Sequence, residues 1–376
     1  MGASWITTCS PWSAFATLAA LTTSALVLGY VSSSLLGQQA AYEYDDAYSP
    51  DAEPSGPAAP PRRGAGYPPV FAYYITGGRG DCLRMTRLLK AAYHPRNRYL
   101  LHLDAGAGAY ERARLARYVR SEQVFLEYAN VHVVGKGDAL DGRGPSAVAA
   151  VLRGAAVLLR DLSFIDHRPD SETHHVVVLD QNLLQSTNAE ISIASGHREK
   201  PDAFDLFRGS PWPILSRAFT EHCVAAPDNL PRTLLMYFSN SLEAKEFYFQ
   251  TVMANSPRFR NSTVNHSLRV NVPPPPPQSA GQQARYDALV AGGAAFAGRF
   301  GDDEALLQRI DEEVLRRPLD GITPGEWCAV GGGEDGAGEC SVGGDIDAVR
   351  QGAAGRKLAS LMAGLVGTAP CGGCNS

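Results

Sequence analysis

The chain has 376 residues, 44% of them apolar, enough for one large domain or two modest ones around a substantial core. Its formal net charge is −5 and no long run of Lys and Arg stands out. That argues against nucleic acid as a partner, because a phosphate backbone demands a concentrated basic footprint.

Residues 1–42 contain no Asp, Glu, Lys or Arg. Within them residues 14–36 form a stretch of 23, close to the ~20 that cross a bilayer as a helix. Thr17, Thr22, Thr23 and Ser32 to Ser34 dilute its apolar character, but their hydroxyls can bond back to helix carbonyls. The reading is a short cytoplasmic tail at 1–13, a signal-anchor helix at 14–36 and a lumenal remainder, with a cleaved signal peptide as the alternative. Residues 37–68 hold Ser-Pro, Glu-Pro-Ser-Gly-Pro and Ala-Ala-Pro-Pro, a composition that resists packing and suits a stem.

From residue 69 the pattern changes. Residues 70–76 (VFAYYIT) are β-branched and aromatic, which predicts a strand, followed by a Gly-Gly-Arg-Gly turn. Asp81 is expected to cap a helix whose buried side is Leu83, Met85, Leu88 and Leu89. A second strand is expected at 99–103, ending at Asp104, then a helix at 109–121, a third strand at 131–134 and a helix at 146–159. Strands alternating with helices imply right-handed crossovers and a parallel sheet. Short strands are expected at 164–167 and 176–179, a loop at 191–201, and helices from about residue 216, at 242–254, at 302–315 and near 358–365.

Ligands of open parallel sheets sit at the carboxyl ends of the strands. Two features lie there: the turn at 77–81, whose glycines let amides approach a phosphate, and Asp104, which could bond a ribose or base. Asp104 reads equally well as a turn or cap residue. The spacing matches neither a dinucleotide fingerprint nor a P-loop. No Asp-x-Asp metal motif stands out in this region, so a departing diphosphate would need a cation such as Arg299, otherwise a surface residue. Glu246, between Lys245 and Phe247-Tyr248-Phe249, is the candidate base, with Glu243 close by as competitor. Asn261 and Asn265 head two glycosylation sequons, which fits lumenal exposure. Four of seven cysteines, Cys328, Cys340, Cys371 and Cys374, fall in a Gly-rich C-terminal stretch, which fits disulfide stapling in an oxidising compartment.

Many segments in order resemble the core-2/I-branching β-1,6-N-acetylglucosaminyltransferase family and, more closely, its plant branch of β-glucuronosyltransferases acting on arabinogalactan. They include YPPVFAYYITGGRGD (67–81), LLKAAYHPRNRYLLHLDAGA (88–107), NVHVVGK (130–136), GRGPSAVAAVLRGAAVLLR (142–160), FDLFRGSPWPILSRAFTEHC (204–223), FAGRF (296–300) and PGEWC (324–328). The resemblance implies an α/β, GT-A-like fold, with the glycosyltransferase domain at 69–345 and a Gly- and Cys-containing tail at 346–376. It implies a single-pass type II Golgi membrane protein with a lumenal catalytic domain. It implies a UDP-sugar donor, UDP-glucuronic acid for the plant branch, a β-galactan acceptor, and an inverting mechanism with no metal or other cofactor. Homo- or hetero-oligomers with other Golgi transferases fit the same picture.

Residue by residue, the resemblance makes Glu246 the base and Arg299 the cation on the diphosphate side. It sets Asp104 and the backbone of Ile75, Thr76 and Gly77 near the nucleotide, and Arg143 and Gly144 in the donor loop. Gly209, Ser210, Trp212 and Tyr248 shape the acceptor side, and Cys328 with Cys340 is the preferred disulfide. Relative to the family pattern, one central strand-loop-helix segment is missing after Arg160, which runs straight into Asp161. The alternative left open is therefore a truncated, non-catalytic member that binds glycan or another transferase.

Overall fold

A computed structural model describes residues 59–64, 66–140, 144–158, 168–169, 176–178, 193–197, 201–272, 282–298, 300, 304–330 and 340–368, in a few short strands by their backbone alone. All of them belong to one compact unit, Gly56–Ser376. The expected anchor at 14–36, most of the stem, and the junction at 160–161 lie outside the described residues. Among the described residues no helix is long and apolar enough to cross a membrane.

The first half alternates as expected. Strand β1 (Ala72–Gly77) leads to helix α1 (Cys82–Ala92), β2 (Arg98–Leu103), a 3-10 turn at Ala105–Ala107, α2 (Gly108–Ser121), the short α3 (Gln123–Tyr128), β3 (Val131–Val133) and α4 (Pro145–Leu158). The three strands form a parallel sheet in the order β1-β2-β3, with Tyr74 opposite Leu100 and Leu100 opposite His132. The central β2 is buried from Tyr99 to Leu103, as the middle strand of a covered parallel sheet must be.

Its alternate residues serve two faces. Tyr99, Leu101 and Leu103 join Met85 and Leu89 of α1 and Leu115 and Val119 of α2 in one core. Trp327, fully buried, closes that core with its ring edge-on to Tyr93 at 5.7 Å. The other face of the sheet meets α4, where Gly154 lets the Tyr74 ring approach the helix backbone. The buried side of α1 differs from expectation: Cys82, Met85 and Leu89 turn inward, whereas Leu83 and Leu88 are exposed. Inward positions spaced by three and four residues define one helical stripe, and Leu83 lies off it.

Next come the short strands β4 (Arg168–Pro169), β5 (Val176–Val178), β6 (Ile193–His197) and β7 (Phe207–Arg208). Residues 193–197, expected as loop, form a strand antiparallel to β5, so cross-strand pairing overrides their polar local sequence. Helices α5 (Arg217–Ala225), α6 (Leu230–Tyr237) and α7 (Ala244–Asn255) then build a second core with α4. Ser216 starts α5 by accepting the Phe219 amide on its hydroxyl at 3.1 Å. Helix α7 is buried almost all round, from Phe247 to Met253.

A parallel pair, β8 (Arg269–Asn271) and β9 (Phe296–Gly298), flanks α8 (Gln282–Ala291). The helix expected at 302–315 is α9 (Glu304–Arg309), which ends in a π-helical turn at Ile310–Val314. Strands β10 (Cys328–Val330) and β11 (Cys340–Val342) pair antiparallel, and α10 (Ala353–Thr368) ends the described chain. The guanidinium of Arg96, 2% exposed, binds Asp347 and the carbonyls of Arg62 and Pro68, tying residues 62–68 to the C-terminal segment.

Candidate active site

At the strand tips, Asp104 donates its amide to the Gly77 carbonyl at 2.9 Å, so the two candidate donor positions adjoin. Thr76 is exposed there, while the Ile75 side chain points into the core and offers only backbone. The Asp104 carboxylate accepts the Gly106 amide at 2.7 Å and caps the 3-10 turn, the turn role that sequence left open.

The turn after β1 is not the vacant anion cradle its glycines suggest. Glu111 accepts the amides of Gly80 (3.0 and 3.1 Å) and Cys82 (3.1 Å), and Asp81 accepts that of Gly78 at 2.8 Å. Asp81 does not cap α1 with its side chain, because the carboxylate is turned back into the turn. The orphan amides of the helix start are thus neutralised by a carboxylate from α2.

Beside the tips, β2 and the loop after β3 are joined by a chain of polar groups that sequence reading missed. Asp138 donates its amide to His102 Nε2 at 3.3 Å and accepts Arg153 Nη2 on Oδ2 at 2.6 Å; its carbonyl accepts the Ala105 amide at 2.8 Å. Because Nε2 accepts, the neutral ring carries its proton on Nδ1, which meets the Tyr74 hydroxyl at 2.6 Å. Burial holds His102 below the ordinary imidazole range, opposed by the charge of Asp138. Burial and Asp138 together push the Tyr74 phenol up to about 12, opposed by Arg153. Gly137 is required here: a Cβ would come within 3.0 Å of the backbone from Leu103 to Ala105, leaving no room for the loop. This loop leads to Gly144, which is buried, and to Arg143, which lies outside the described residues.

The second cluster is built on the first turn of α7. Gly209 donates its amide to the Glu246 carbonyl at 2.8 Å, Gln250 Nε2 donates to the Ser210 carbonyl at 2.7 Å, and Trp212 donates its amide to Ser210 Oγ at 3.3 Å. Glu246, Gly209, Ser210 and Trp212 are therefore held together. The Glu246 carboxylate is 23% exposed and pairs with Arg208, whose Nε and Nη2 both reach Oε2, at 2.7 and 2.6 Å. The Arg208 guanidinium lies 5.4 Å from the Phe247 ring centre. Glu243 sits just before α7 in a left-handed conformation, its carbonyl accepting the Glu246 amide.

The aromatic residues after Glu246 do not face solvent. Phe247, Tyr248 and Phe249 are core residues, and the Tyr248 hydroxyl donates to the Pro231 carbonyl at 3.3 Å inside the fold. Tyr248 thus anchors α7 rather than presenting a surface to an acceptor. The exposed aromatic is Trp212, with the Arg269 guanidinium 3.7 Å from its ring centre. Gly298 leaves room for that guanidinium, since a Cβ would overlap it. Arg299 follows directly but lies outside the described residues. Helix α4 packs against both β1 and β2 and against α5 and α7, so it is the common support of the two clusters.

Away from these clusters, Asn261 and Asn265 are both exposed. Cys328 is in a disulfide, whereas Cys82 and Cys223 are buried free thiols. Cys340 lies on the strand paired with that of Cys328; its side chain is outside the described residues.

Comparison with known proteins gives these clusters a chemical context. Residues 71–164 and 158–272 match the family described as Core-2/I-Branching enzyme. The chain is 37% identical to Arabidopsis thaliana beta-glucuronosyltransferase GlcAT14A over 342 residues, covering 80% of the chain and 76% of the relative. It is 34% identical to GlcAT14B of the same plant over 79% of the chain and 78% of the relative. It is 28% identical to xylosyltransferase 2 of Canis lupus familiaris over 54% of the chain but only 26% of that longer protein. Mixed helices around a parallel sheet are consistent with a GT-A-like transferase. The chain belongs to the Core-2/I-branching enzyme family and is a glycosyltransferase, which implies a nucleotide-sugar donor and a glycan acceptor.

Proposed function

We propose that the chain transfers glucuronic acid from its UDP-sugar to β-galactan chains of arabinogalactan glycans, with inversion and without a metal ion. The observation that carries this reading is the partly exposed Glu246 carboxylate, fixed at the start of α7 beside Gly209, Ser210 and the exposed Trp212. A carboxylate in that setting can take the proton of an acceptor hydroxyl as its oxygen attacks the anomeric carbon. Asp104, Gly144, Arg143 and the backbone of Ile75, Thr76 and Gly77 serve the nucleotide side. Arg299 offsets the charge gathering on the departing diphosphate, the task a metal ion performs elsewhere. The 34–37% identity to plant enzymes named beta-glucuronosyltransferases supports the choice of sugar. Residues 14–36 serve as a Golgi signal anchor in the same proposal, with the catalytic unit in the lumen.

The test is transfer from UDP-glucuronic acid to β-galactan oligomers by the full chain in detergent, with and without EDTA, and with Glu246→Gln as control. Transfer that survives EDTA and disappears in Glu246→Gln is expected. Transfer by Glu246→Gln at the wild-type rate would remove the base assignment. Loss with EDTA would remove the metal-free mechanism. The direct run of Arg160 into Asp161 favours a second reading, a non-catalytic glycan-binding member. Galactan binding by a chain that turns over no UDP-sugar would select it.

A further inference from the structure

Within the Glu246–Arg208 pair the two carboxylate oxygens are not equivalent. Oε2 accepts both guanidinium bonds, and among the described residues Oε1 accepts none. The guanidinium is itself held from behind. Strand β7, which carries Arg208, is tied to α7 by the Phe207 amide on Thr251 Oγ1 (3.1 Å) and by the Gly209 amide on the Glu246 carbonyl (2.8 Å). Phe247, one residue past Glu246, lies under the guanidinium. Glu246 stands on the first turn of α7, and the strand that carries Arg208 is tied to that helix on both sides of Arg208, so the two side chains start from backbones held at a fixed separation.

Arg208 is 40% and Glu246 23% exposed, so the pair contributes little to stability, as solvent-screened pairs generally do. What such a pair does well is direct a carboxylate. A guanidinium that reaches one oxygen through two nitrogens restricts rotation about the terminal bond of the glutamate.

We infer that Arg208 is a positioning residue for Glu246: it holds Oε2 so that Oε1 is the oxygen that receives the acceptor proton. This rests on the proposal that Glu246 is the base. In the step so directed, the acceptor hydroxyl gives its proton to Oε1 as its oxygen bonds the anomeric carbon. The bond from that carbon to the diphosphate oxygen breaks, and its electron pair leaves with the diphosphate. Loss of Arg208 leaves the carboxylate present but free to turn.

Steady-state kinetics of the full chain with UDP-glucuronic acid and β-galactan oligomers test this on Arg208→Met, Arg208→Lys and Glu246→Gln. In Arg208→Met kcat falls by about ten- to a hundredfold, the scale of a misdirected catalytic group, while both KM values stay within about twofold. Arg208→Lys keeps a charge on Oε2 and recovers part of kcat, and guanidinium ion added to Arg208→Ala recovers part as well. An unchanged kcat in folded Arg208→Met, or a raised KM at constant kcat, overturns the inference. If Arg208→Met does not fold, Arg208→Lys at the full wild-type kcat together with an inert Arg208→Ala unmoved by guanidinium overturns it. Glu246→Gln that transfers normally overturns the base assignment instead, so the two failures are told apart.

Discussion

Tyr74 and His102 stand diagonally on one face of neighbouring parallel strands and share a 2.6 Å hydrogen bond between the phenol and Nδ1. His102 is 2% exposed and its Nε2 is committed to the Asp138 amide, so Nδ1 has one partner and is shielded from solvent. Tyr74→Phe removes only the hydroxyl and strands a buried donor. The expected cost is about 1–3 kcal/mol, read as a lower urea midpoint at unchanged m-value. A midpoint equal to wild type would mean that the ring finds another partner.

The same relationship holds the loop that leads to Gly144, so its geometry should be felt at the proposed donor site. Gly137→Ala places a methyl against the Leu103–Ala105 backbone, which has no side chain to move aside. Overpacking of this kind costs about 1–3 kcal/mol, and relief by shifting the loop should weaken UDP binding several-fold in calorimetry. Gly135→Ala is the control, because a Cβ there meets nothing.

How far these features could be read in the sequence depends on the distance over which each is encoded. The β/α alternation of the first half was legible because strand and helix periods are local, and β1, β2, β3 and α4 lie within a residue or two of the expected bounds. The Ser216 start and the existence of α7 are legible for the same reason. Glu111 on the Gly80 and Cys82 amides, His102 on Asp138 and Arg208 on Glu246 join residues about 30 to 40 apart along the chain, and no local pattern records such pairs. Tyr248 shows the converse error. The resemblance sets Tyr248 on the acceptor side, but its position on α7 turns it into the core, and the exposed ring beside Glu246 is Trp212.

Glu111 offers a direct measure of one such invisible pair. Its carboxylate takes amides at the start of α1, where the helix dipole favours negative charge. Glu111→Gln keeps an acceptor but loses the charge and one oxygen, and should cost about 1 kcal/mol in denaturant melts; Glu111→Ala should cost about 2. A Glu111→Gln variant as stable as wild type would show that charge contributes nothing there.

His94 sets a pH dependence of folding. Burial first, and Arg96 second, hold it down to about 4 from the ordinary 6.5. Its Nδ1 accepts the Arg96 amide at 3.2 Å, a bond that only the unprotonated nitrogen can make. Between pH 6.5 and 4 the unfolded chain binds a proton that the folded chain refuses, so stability falls as pH falls through this window and is fully present above it. The limit is about 3 kcal/mol, reduced by partial solvent screening. His94→Gln should flatten the melting temperature across the window; an unchanged slope would assign the effect to other groups.

The disulfide at Cys328 gives the last prediction. Strands β10 and β11 pair antiparallel with Val330 opposite Cys340, so a bridge between Cys328 and Cys340 would close a short loop across an existing ladder. Chain-entropy arguments assign roughly 3 kcal/mol to a loop of that size. Cys328 adjoins Trp327, which is fully buried in the core under the sheet, so loosening this ladder should propagate to β1, which ends at Gly77, and to β2, which Asp104 follows. Cys328→Ser, Cys340→Ser and the double variant should then lose the same stability, and peptide mapping should find the two cysteines joined. If the double variant loses the sum of the single losses, the cysteines have different partners, and the sequence-based pairing is wrong.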